Sequence, residues 1–274
     1  MENICWLIDV DLVAEEQPDL ISHIKSLGYS VYKLSAALDK PKIEYDPECI
    51  YAFLGSFEEL RHVRKHLGFP VATYGLNSLI NRSGYMSYLP NEWFLNEHSV
   101  MTTWGQLQNN SHRFFKLFDS DRLFARPNGG NKLFTGQVFE KSSIHEEMQF
   151  LDRYSSVLPE TIIWFGEAKK IDREYRFWIS VGKVVTWSEY SWDKTPIQNV
   201  TEPSQVVVDM AEQVAKHEWQ VDRIYTVDIT KYEGEAKIIE LNSFSCAGLY
   251  NCDGKQLLET VSRDILAEWE NDDL

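Results

Sequence analysis

The sequence predicts a small α/β region followed by an α+β region. Two strand–helix–strand units in roughly the first 75 residues predict a small parallel sheet. Further along the chain, two apolar hairpins alternate with amphipathic helical segments, which is typical of antiparallel sheets covered by helices. We expect a boundary near residue 95, with one domain over residues 1–95 and a second over residues 96–274.

Composition narrows the class of protein. The chain has 274 residues, 43% of them hydrophobic, which is enough to bury a substantial core. Its net charge of −15 repels phosphate backbones and anionic lipids, so a nucleic acid partner is disfavoured. The apolar run Ile4–Ile8 is too short for a signal peptide, and no later run approaches a membrane span. We therefore expect a cytoplasmic protein with no membrane partner, and no oligomeric state is predicted.

The elements of the first region follow from the spacing of apolar residues. A strand in "ICWLIDVDL" leads to a helix that ends at Gly28 and to a second strand in "YSVYKLS". The same plan is repeated from residue 49, with a strand, a turn at Gly55-Ser56, a helix and another strand. Residues 76–110 are predicted to be irregular, because they are rich in Asn, Ser and Tyr.

The second region alternates strands and helices. "RFFKLFDSDRLFARPNGGNKLFTGQVF" is predicted to form strands around a glycine loop, followed by a helix in "SSIHEEMQFLDRYS". "TIIWFGEA", "EYRFWISV" and "KVVTWSEYS" are predicted strands, and Gly182 turns the last two into a hairpin. A helix from about residue 203 precedes a second hairpin in "RIYTVDITKYEGEAKIIELNS", and residues 254–270 form a last amphipathic helix.

The second hairpin carries an unusual set of polar residues. A turn centred near Gly234 places Asp228 opposite Glu240, and Asn242 follows on the same face. Directly opposed acids destabilise a sheet unless something compensates their charge. Two carboxylates and an amide oxygen are hard ligands of the kind that Mg²⁺ takes. A solvated outer face that tolerates opposed acids is the alternative, and a slip of the hairpin by one residue would also remove the site.

Taken in order, the motifs resemble the ATP-grasp superfamily, the fold of D-alanine–D-alanine ligase and glutathione synthetase. "LFARP" is similar to the family's phosphate-binding strand, and "NGGNKLFTG" to its glycine-rich lid. "GEAKKIDRE" resembles the adenine hinge, and "VDIT…IIELN" the magnesium motif D…E-x-N. The resemblance covers about residues 110–255, and the small α/β region before it suits a pre-ATP-grasp domain.

The resemblance implies ATP and Mg²⁺ as cofactors and assigns a role to particular residues. It places the metal at Asp228, Glu240 and Asn242, and makes Arg176 the catalytic residue that stabilises the transferring phosphoryl group. Its implied ATP contacts are Arg126, Lys132, Glu167, Lys169 and Glu174, of which Glu174 would hold the ribose. Arg126 stands where many relatives have lysine, and arginine can clamp a phosphate with two hydrogen bonds. Lys116 is a candidate for a second upstream phosphate-binding lysine.

The activity implied by the resemblance is an ADP-forming ligase that joins a carboxylate to an amine through an acyl phosphate. Its partners would be small-molecule or peptide acids and amines. An ATP-dependent kinase on the same scaffold and a non-catalytic nucleotide-binding or interaction protein are the alternatives. A metal nuclease is disfavoured, because E-x-N lacks the usual lysine and the net charge is negative. The loop "SFSCAGLYNCDG" follows the metal strand, so Ser243, Ser245 and Tyr250 are expected near the chemistry or in ordinary loop packing.

Overall fold

The structure, a computed structural model, describes residues 3–13, 16–35, 43–129, 133–190 and 200–271. Two compact units can be distinguished within it. One unit joins Met1–Asn77 to Arg173–Leu274, and the other is Ser78–Asp172. The predicted division into residues 1–95 and 96–274 stays a prediction.

The first unit contains a three-stranded parallel sheet in the order β2-β1-β3. Its elements are β1 (Asn3–Asp9), α1 (Val10–Val13), α2 (Leu20–Ser26), β2 (Ser30–Leu34), β3 (Cys49–Leu54) and α3 (Phe57–His66). The Ser56 side chain accepts a hydrogen bond from the Glu59 amide and so begins α3 where a turn was predicted. The strand predicted after α3 is reduced to a single parallel bridge between Ala52 and Ala72.

The second unit is built on a four-stranded antiparallel sheet in the order β4-β7-β5-β6. Its elements are α4 (Arg82–Tyr85), β4 (Val100–Thr103), α5 (Trp104–Phe118), β5 (Arg122–Pro127), β6 (Gln137–Glu140), α6 (Ile144–Tyr154) and β7 (Ile162–Glu167), with short 3₁₀ turns at Ser78–Ile80 and Asn91–Trp93. An aromatic core that includes Trp104, Phe139 and Phe165 lies between the sheet and α5 and α6.

One element of this unit differs from its prediction. The stretch "RFFKLF", predicted as strand, is the second half of helix α5. Leu107, Ser111 and Phe115 are buried at spacings of four residues, which is the helical period, whereas a strand would bury alternate residues. The side chain of Thr103 caps the helix by accepting from the Gln106 amide at 3.3 Å.

The remaining elements complete the first unit with a second antiparallel sheet, in the order β11-β10-β8-β9. They are β8 (Glu174–Ser180), β9 (Lys183–Glu189), α7 (Gln205–Ala215), β10 (Ile224–Tyr232), β11 (Glu235–Ser243) and α8 (Gly254–Glu270). Trp6 of the parallel sheet, Trp178 of β8 and Leu257 of α8 belong to one buried cluster. The two sheets of this unit therefore share a core.

The β10–β11 hairpin reaches its register by an unexpected route. Glu233 and Gly234 both have positive φ, so the turn is a two-residue loop with Tyr232 opposite Glu235. A regular ladder from this turn would set Asp228 opposite Ile239. Instead, Ile229 pairs with Ile238 and Asp228 pairs with Glu240, so a bulge at Ile239 shifts the register by one residue. The predicted Asp228–Glu240 pair is confirmed, but the bulge produces it rather than the turn alone.

The described residues contain no helix that is long and apolar enough to cross a membrane. All four cysteines are free thiols, and Cys5, Cys49 and Cys252 are buried as predicted.

Replacing Gly234 by alanine tests the backbone of the hairpin turn. Gly234 has φ +91°, and a Cβ added there would meet no atom within 4 Å, so the substitution changes only the backbone energy. We expect Gly234→Ala to lower the free energy of unfolding by about 1 kcal/mol in urea denaturation. Gly68→Ala is the matched control, because its Cβ would also enter open space and its φ is not positive. Equal stabilities of the two variants would contradict the turn assignment.

Candidate active site

Three carboxylates meet on neighbouring strands of the second antiparallel sheet. Glu174 lies on β8, Asp228 on β10 and Glu240 on β11. Asp228 is opposite Glu240 on one side and Arg176 on the other, and Glu174 is two residues along β8 from Arg176. All three acids are buried, and each offers a carboxylate oxygen within 4.8 Å of the others. The predicted pair is thus part of a three-carboxylate cluster.

Arg176 forms a buried ion pair with the middle carboxylate. Its Nε donates to Asp228 Oδ1 at 2.8 Å and its Nη2 donates to Oδ2 at 2.7 Å. The exposed fractions of the two side chains are only 2% and 0%. Burial disfavours the charged guanidinium, but the attraction and hydrogen bonds of Asp228 outweigh it, so the pKa of Arg176 is raised above its ordinary value. Arg176 therefore stays charged and fixes Asp228 in one orientation.

Asn242 completes the polar face of the hairpin. Its Nδ2 donates to Asp228 Oδ2 at 2.9 Å, and its side chain is buried. Across the ladder, Thr226 is its partner on β10, and the Thr226 hydroxyl donates to the Asn242 carbonyl at 3.4 Å. The amide thus orients Asp228 from the side opposite to the strand of Arg176, because β10 lies between β8 and β11.

The donor set fits a hard divalent cation. Three carboxylates held this close in a buried place require compensating positive charge. Arg176 supplies one positive charge there, and a divalent cation would supply two more. Carboxylate and amide oxygens are the ligands that Mg²⁺ accepts, and none of the described histidines or cysteines joins the cluster to favour a softer metal. The residues present therefore suit magnesium.

The family comparison agrees with this arrangement of strands and acids. The family model that matches describes an ATP-grasp domain, the third family of its clade, and it covers residues 85–261, about two thirds of the chain. The chain belongs to the ATP-grasp family. The sequence resemblance is thus confirmed at the level of the family. No curated protein gives a significant sequence match.

Solved ATP-grasp structures share the fold over almost the whole chain. The ATP-grasp ligase PsnB with its minimal precursor is 13% identical, with 96% of this chain and 100% of that chain covered and a TM-score of 0.55. D-cycloserine synthetase DcsG is 10% identical, with 95% and 99% covered and a TM-score of 0.59. D-alanine–D-alanine ligase from Bacillus anthracis, complexed with ATP, is 13% identical, with 98% and 99% covered and a TM-score of 0.61. At these identities the likeness shows the fold, and it confirms the mixed fold class predicted from the sequence.

Several residues that the resemblance assigns to ATP lie in the second unit, away from the carboxylate cluster in sequence. Arg126 is half-buried on β5 opposite Trp164, and Glu167 is exposed at the end of β7. The ammonium of Lys169 donates to the Leu95 carbonyl at 2.6 Å, which fixes the segment after β7. Lys132 lies outside the described residues. Lys116 is exposed in the last turn of α5. Their roles toward ATP stay predictions.

Loop residues named from the sequence divide between packing and the site. Ser243 donates to the Tyr74 carbonyl at 2.8 Å, and the Ser245 hydroxyl accepts from the Tyr74 amide at 2.8 Å. These two serines fasten the loop to the segment that follows the parallel sheet. The Tyr250 ring instead lies 5.4 Å from the Arg176 guanidinium carbon, beside the carboxylate cluster.

Sequence reasoning missed two further groups next to the cluster. Glu189, at the end of β9, is buried and accepts from Arg173 Nη1 and from the Thr201 amide at 2.9 Å. Tyr190 follows it, and its ring centroid lies 5.1 Å from the Arg176 guanidinium carbon. A signal was available for both, since "WSEY" ends the strand paired with β8. Its alignment with Arg176 depends on a register shift in β8–β9 that the sequence does not announce.

Thermal unfolding with and without magnesium tests the cation site. A ligand present at 100 times its dissociation constant raises the free energy of unfolding by about 2.7 kcal/mol. We expect Mg²⁺ to stabilise the wild type by an amount that rises with concentration, and Glu240→Gln to abolish the effect. Glu235→Gln is the control, since Glu235 lies on the same strand but is exposed beside Lys237. Equal magnesium stabilisation of the wild type and Glu240→Gln would contradict the site.

Proposed function

We propose that the protein is an ATP- and magnesium-dependent ligase that joins a carboxylate to an amine and forms ADP. The observation that carries the proposal is the buried cluster of Glu174, Asp228 and Glu240 beside Arg176, on the sheet of an ATP-grasp fold. A structural acid cluster would be costly to the fold, so its presence at this place favours a cation-dependent activity.

Magnesium would be held by Asp228, Glu240 and Asn242, with ATP contacted by Arg126, Lys132, Glu167 and Lys169. When bound, the ion supplies charge neutralisation to the nucleotide phosphates. Arg176 keeps Asp228 ionised and oriented, and its positive charge adds to the field at the cluster. Its predicted direct contact with the transferring phosphoryl group is retained as part of the proposal.

The proposed reaction has two transfers. An oxygen of the acid attacks the γ-phosphorus of ATP, the bond from that phosphorus to the ADP oxygen breaks, and an acyl phosphate forms. The amine then attacks the acyl carbon, loses a proton, and expels inorganic phosphate as the C–N bond forms. Exclusion of water is required between the two transfers, because water would hydrolyse the acyl phosphate.

The structural neighbours support a substrate class. PsnB is described as a ligase complexed with a precursor peptide, and the other two neighbours are named for the synthesis of small amino acid derivatives. We therefore propose a small-molecule or peptide acid and an amine as substrates. A kinase on the same fold would transfer the phosphoryl group to a hydroxyl, and it is distinguished below by its product.

Calorimetry of ATP binding tests the nucleotide half of the proposal. We expect ATP to bind the wild type only with Mg²⁺, and we expect binding to collapse in the double variant Glu240→Gln, Asn242→Ala. Both substitutions remove metal ligands without removing the Arg176–Asp228 pair. A folded wild type that binds no nucleotide with Mg²⁺ present would overturn both the ligase and the kinase. Glu235→Gln serves again as the control.

The same protein, mixed with ATP, candidate acids and hydroxylamine, tests the chemistry. Hydroxylamine is a reactive amine, so an acyl phosphate would be captured as a hydroxamate and ADP would be released. We expect a hydroxamate that requires the acid, ATP and Mg²⁺ together. A stable phosphorylated product in its place would identify a kinase and overturn the ligase.

The position of Glu174 gives a separate prediction. The resemblance assigns it to the ribose, but its carboxylate lies in the cluster with Asp228 and Glu240. We expect Glu174→Gln to weaken the magnesium dependence of nucleotide binding and to leave the affinity ratio of ATP to 2′,3′-dideoxy-ATP unchanged. A ribose contact made by a charged group would be worth roughly tenfold or more in that ratio. Loss of that preference in the variant would return Glu174 to the ribose role.

A further inference from the structure

Two tyrosines cover the guanidinium of Arg176. The ring centroids of Tyr190 and Tyr250 lie 5.1 Å and 5.4 Å from its central carbon, within the range of a cation–π contact. The two rings are 5.0 Å apart and tilted by 56°, so they meet each other as well as the arginine. Burial raises the pKa of both tyrosines, which keeps the hydroxyls neutral at physiological pH.

Tyr250 is held in place by residues far away in the sequence. Glu16 Oε2 accepts from the Leu249 amide at 2.7 Å and from the Tyr250 amide at 2.9 Å. Gln17 Nε2 donates to the Tyr250 carbonyl at 2.9 Å and to the Cys252 carbonyl at 3.0 Å. These bonds maintain a left-handed backbone at Tyr250, with φ +48°, which a tyrosine adopts only when its surroundings require it.

Tyr190 is anchored from the opposite direction. It follows β9, and its amide donates to the carbonyl of Glu174 at 2.8 Å. The backbone of one cluster acid therefore fixes the residue that covers the arginine. Arg176 is thus held by Asp228 through its hydrogen-bonding edge and by aromatic rings against its guanidinium group.

We propose that Tyr250, fixed by Glu16 and Gln17, and Tyr190 are positioning residues that hold Arg176 on Asp228. A buried guanidinium without water needs cover over its faces as well as acceptors at its edge, and aromatic rings provide that cover. A guanidinium left uncovered would admit water and exchange partners, and Asp228 would lose its fixed orientation toward Glu240 and Asn242. The consequence at a magnesium ion rests on the proposed function, whereas the hold on Arg176 does not.

The hold on Arg176 can be measured without nucleotide. In nitrogen-15-labelled protein, the Nε–H of Arg176 gives a side-chain signal whose exchange with water reports its bond to Asp228, and Arg176→Lys assigns that signal by its loss. We expect Tyr250→Leu, which removes the ring, to accelerate exchange about tenfold, the scale of a buried cation–π contact. Tyr250→Phe, which keeps the ring, is expected to restore slow exchange. Tyr154→Leu, at an exposed tyrosine of α6, is the control.

Glu16→Ala provides a second variant that leaves both rings in the chain. It removes the acceptor for the Leu249 and Tyr250 amides, so it is expected to accelerate Nε–H exchange in the same direction as Tyr250→Leu. This variant decides the question if Tyr250→Leu does not fold. Wild-type exchange rates in a folded Tyr250→Leu, or in Glu16→Ala, would overturn the proposal.

Nucleotide binding then separates this proposal from the proposed function. We expect Tyr250→Leu to weaken Mg²⁺-dependent ADP binding about tenfold and Tyr250→Phe to leave it near wild type. A wild type that binds no ADP would overturn the proposed function, while the exchange measurement would still decide the role of Tyr250. Faster exchange with unchanged ADP affinity would overturn the link from Arg176 to the metal ligands.

Discussion

The buried pair of Arg176 and Asp228 is the interaction on which the rest of the site depends. It joins the two central strands of the sheet, β8 and β10, through two hydrogen bonds between side chains that are almost fully buried. Such a pair gains little net stability, because desolvation offsets most of the attraction, but removing one partner leaves an isolated buried charge and costs roughly 3–5 kcal/mol. The pair is therefore better understood as a device that fixes geometry. With it in place, two more carboxylates can be brought against Asp228.

Backbone geometry, rather than side-chain choice alone, brings those carboxylates together. The turn at Glu233-Gly234 would place an isoleucine opposite Asp228, and the bulge at Ile239 replaces it with Glu240. A register shift of one residue moves every following side chain relative to its partner strand. Ile238 remains fully buried while Glu240 and Asn242 share the neighbourhood of Asp228, so core packing and ligand placement are both satisfied.

Sequence reasoning predicted the elements that depend on local pattern. The β10–β11 hairpin, the Asp228–Glu240 pair and the parallel sheet follow from alternation, helical spacing and turn residues that lie close together in the chain. The reason given for the pair was incomplete, because a bulge carries no clear signal in a single sequence. Helix α5 was predicted partly as strand, since "RFFKLF" is apolar on enough positions to suit either period over six residues. Contacts between distant segments, such as Glu16 with Tyr250, could not be predicted, because no local pattern encodes them.

Those distant contacts change how the first 77 residues are understood. A linear division would make the parallel sheet a separate domain that precedes the site. In the structure it belongs to one compact unit with the strands that carry Arg176 and Asp228, and both share a buried cluster containing Trp6 and Trp178. The Gly55 amide donates to the Ser245 carbonyl at 2.9 Å, directly after the metal-motif strand. Gly75 approaches Ser243 so closely that an added Cβ would lie 2.6 Å from its Cα. The parallel sheet therefore shapes the loop that carries Tyr250, and a change in its turns would reach the carboxylate cluster through that loop.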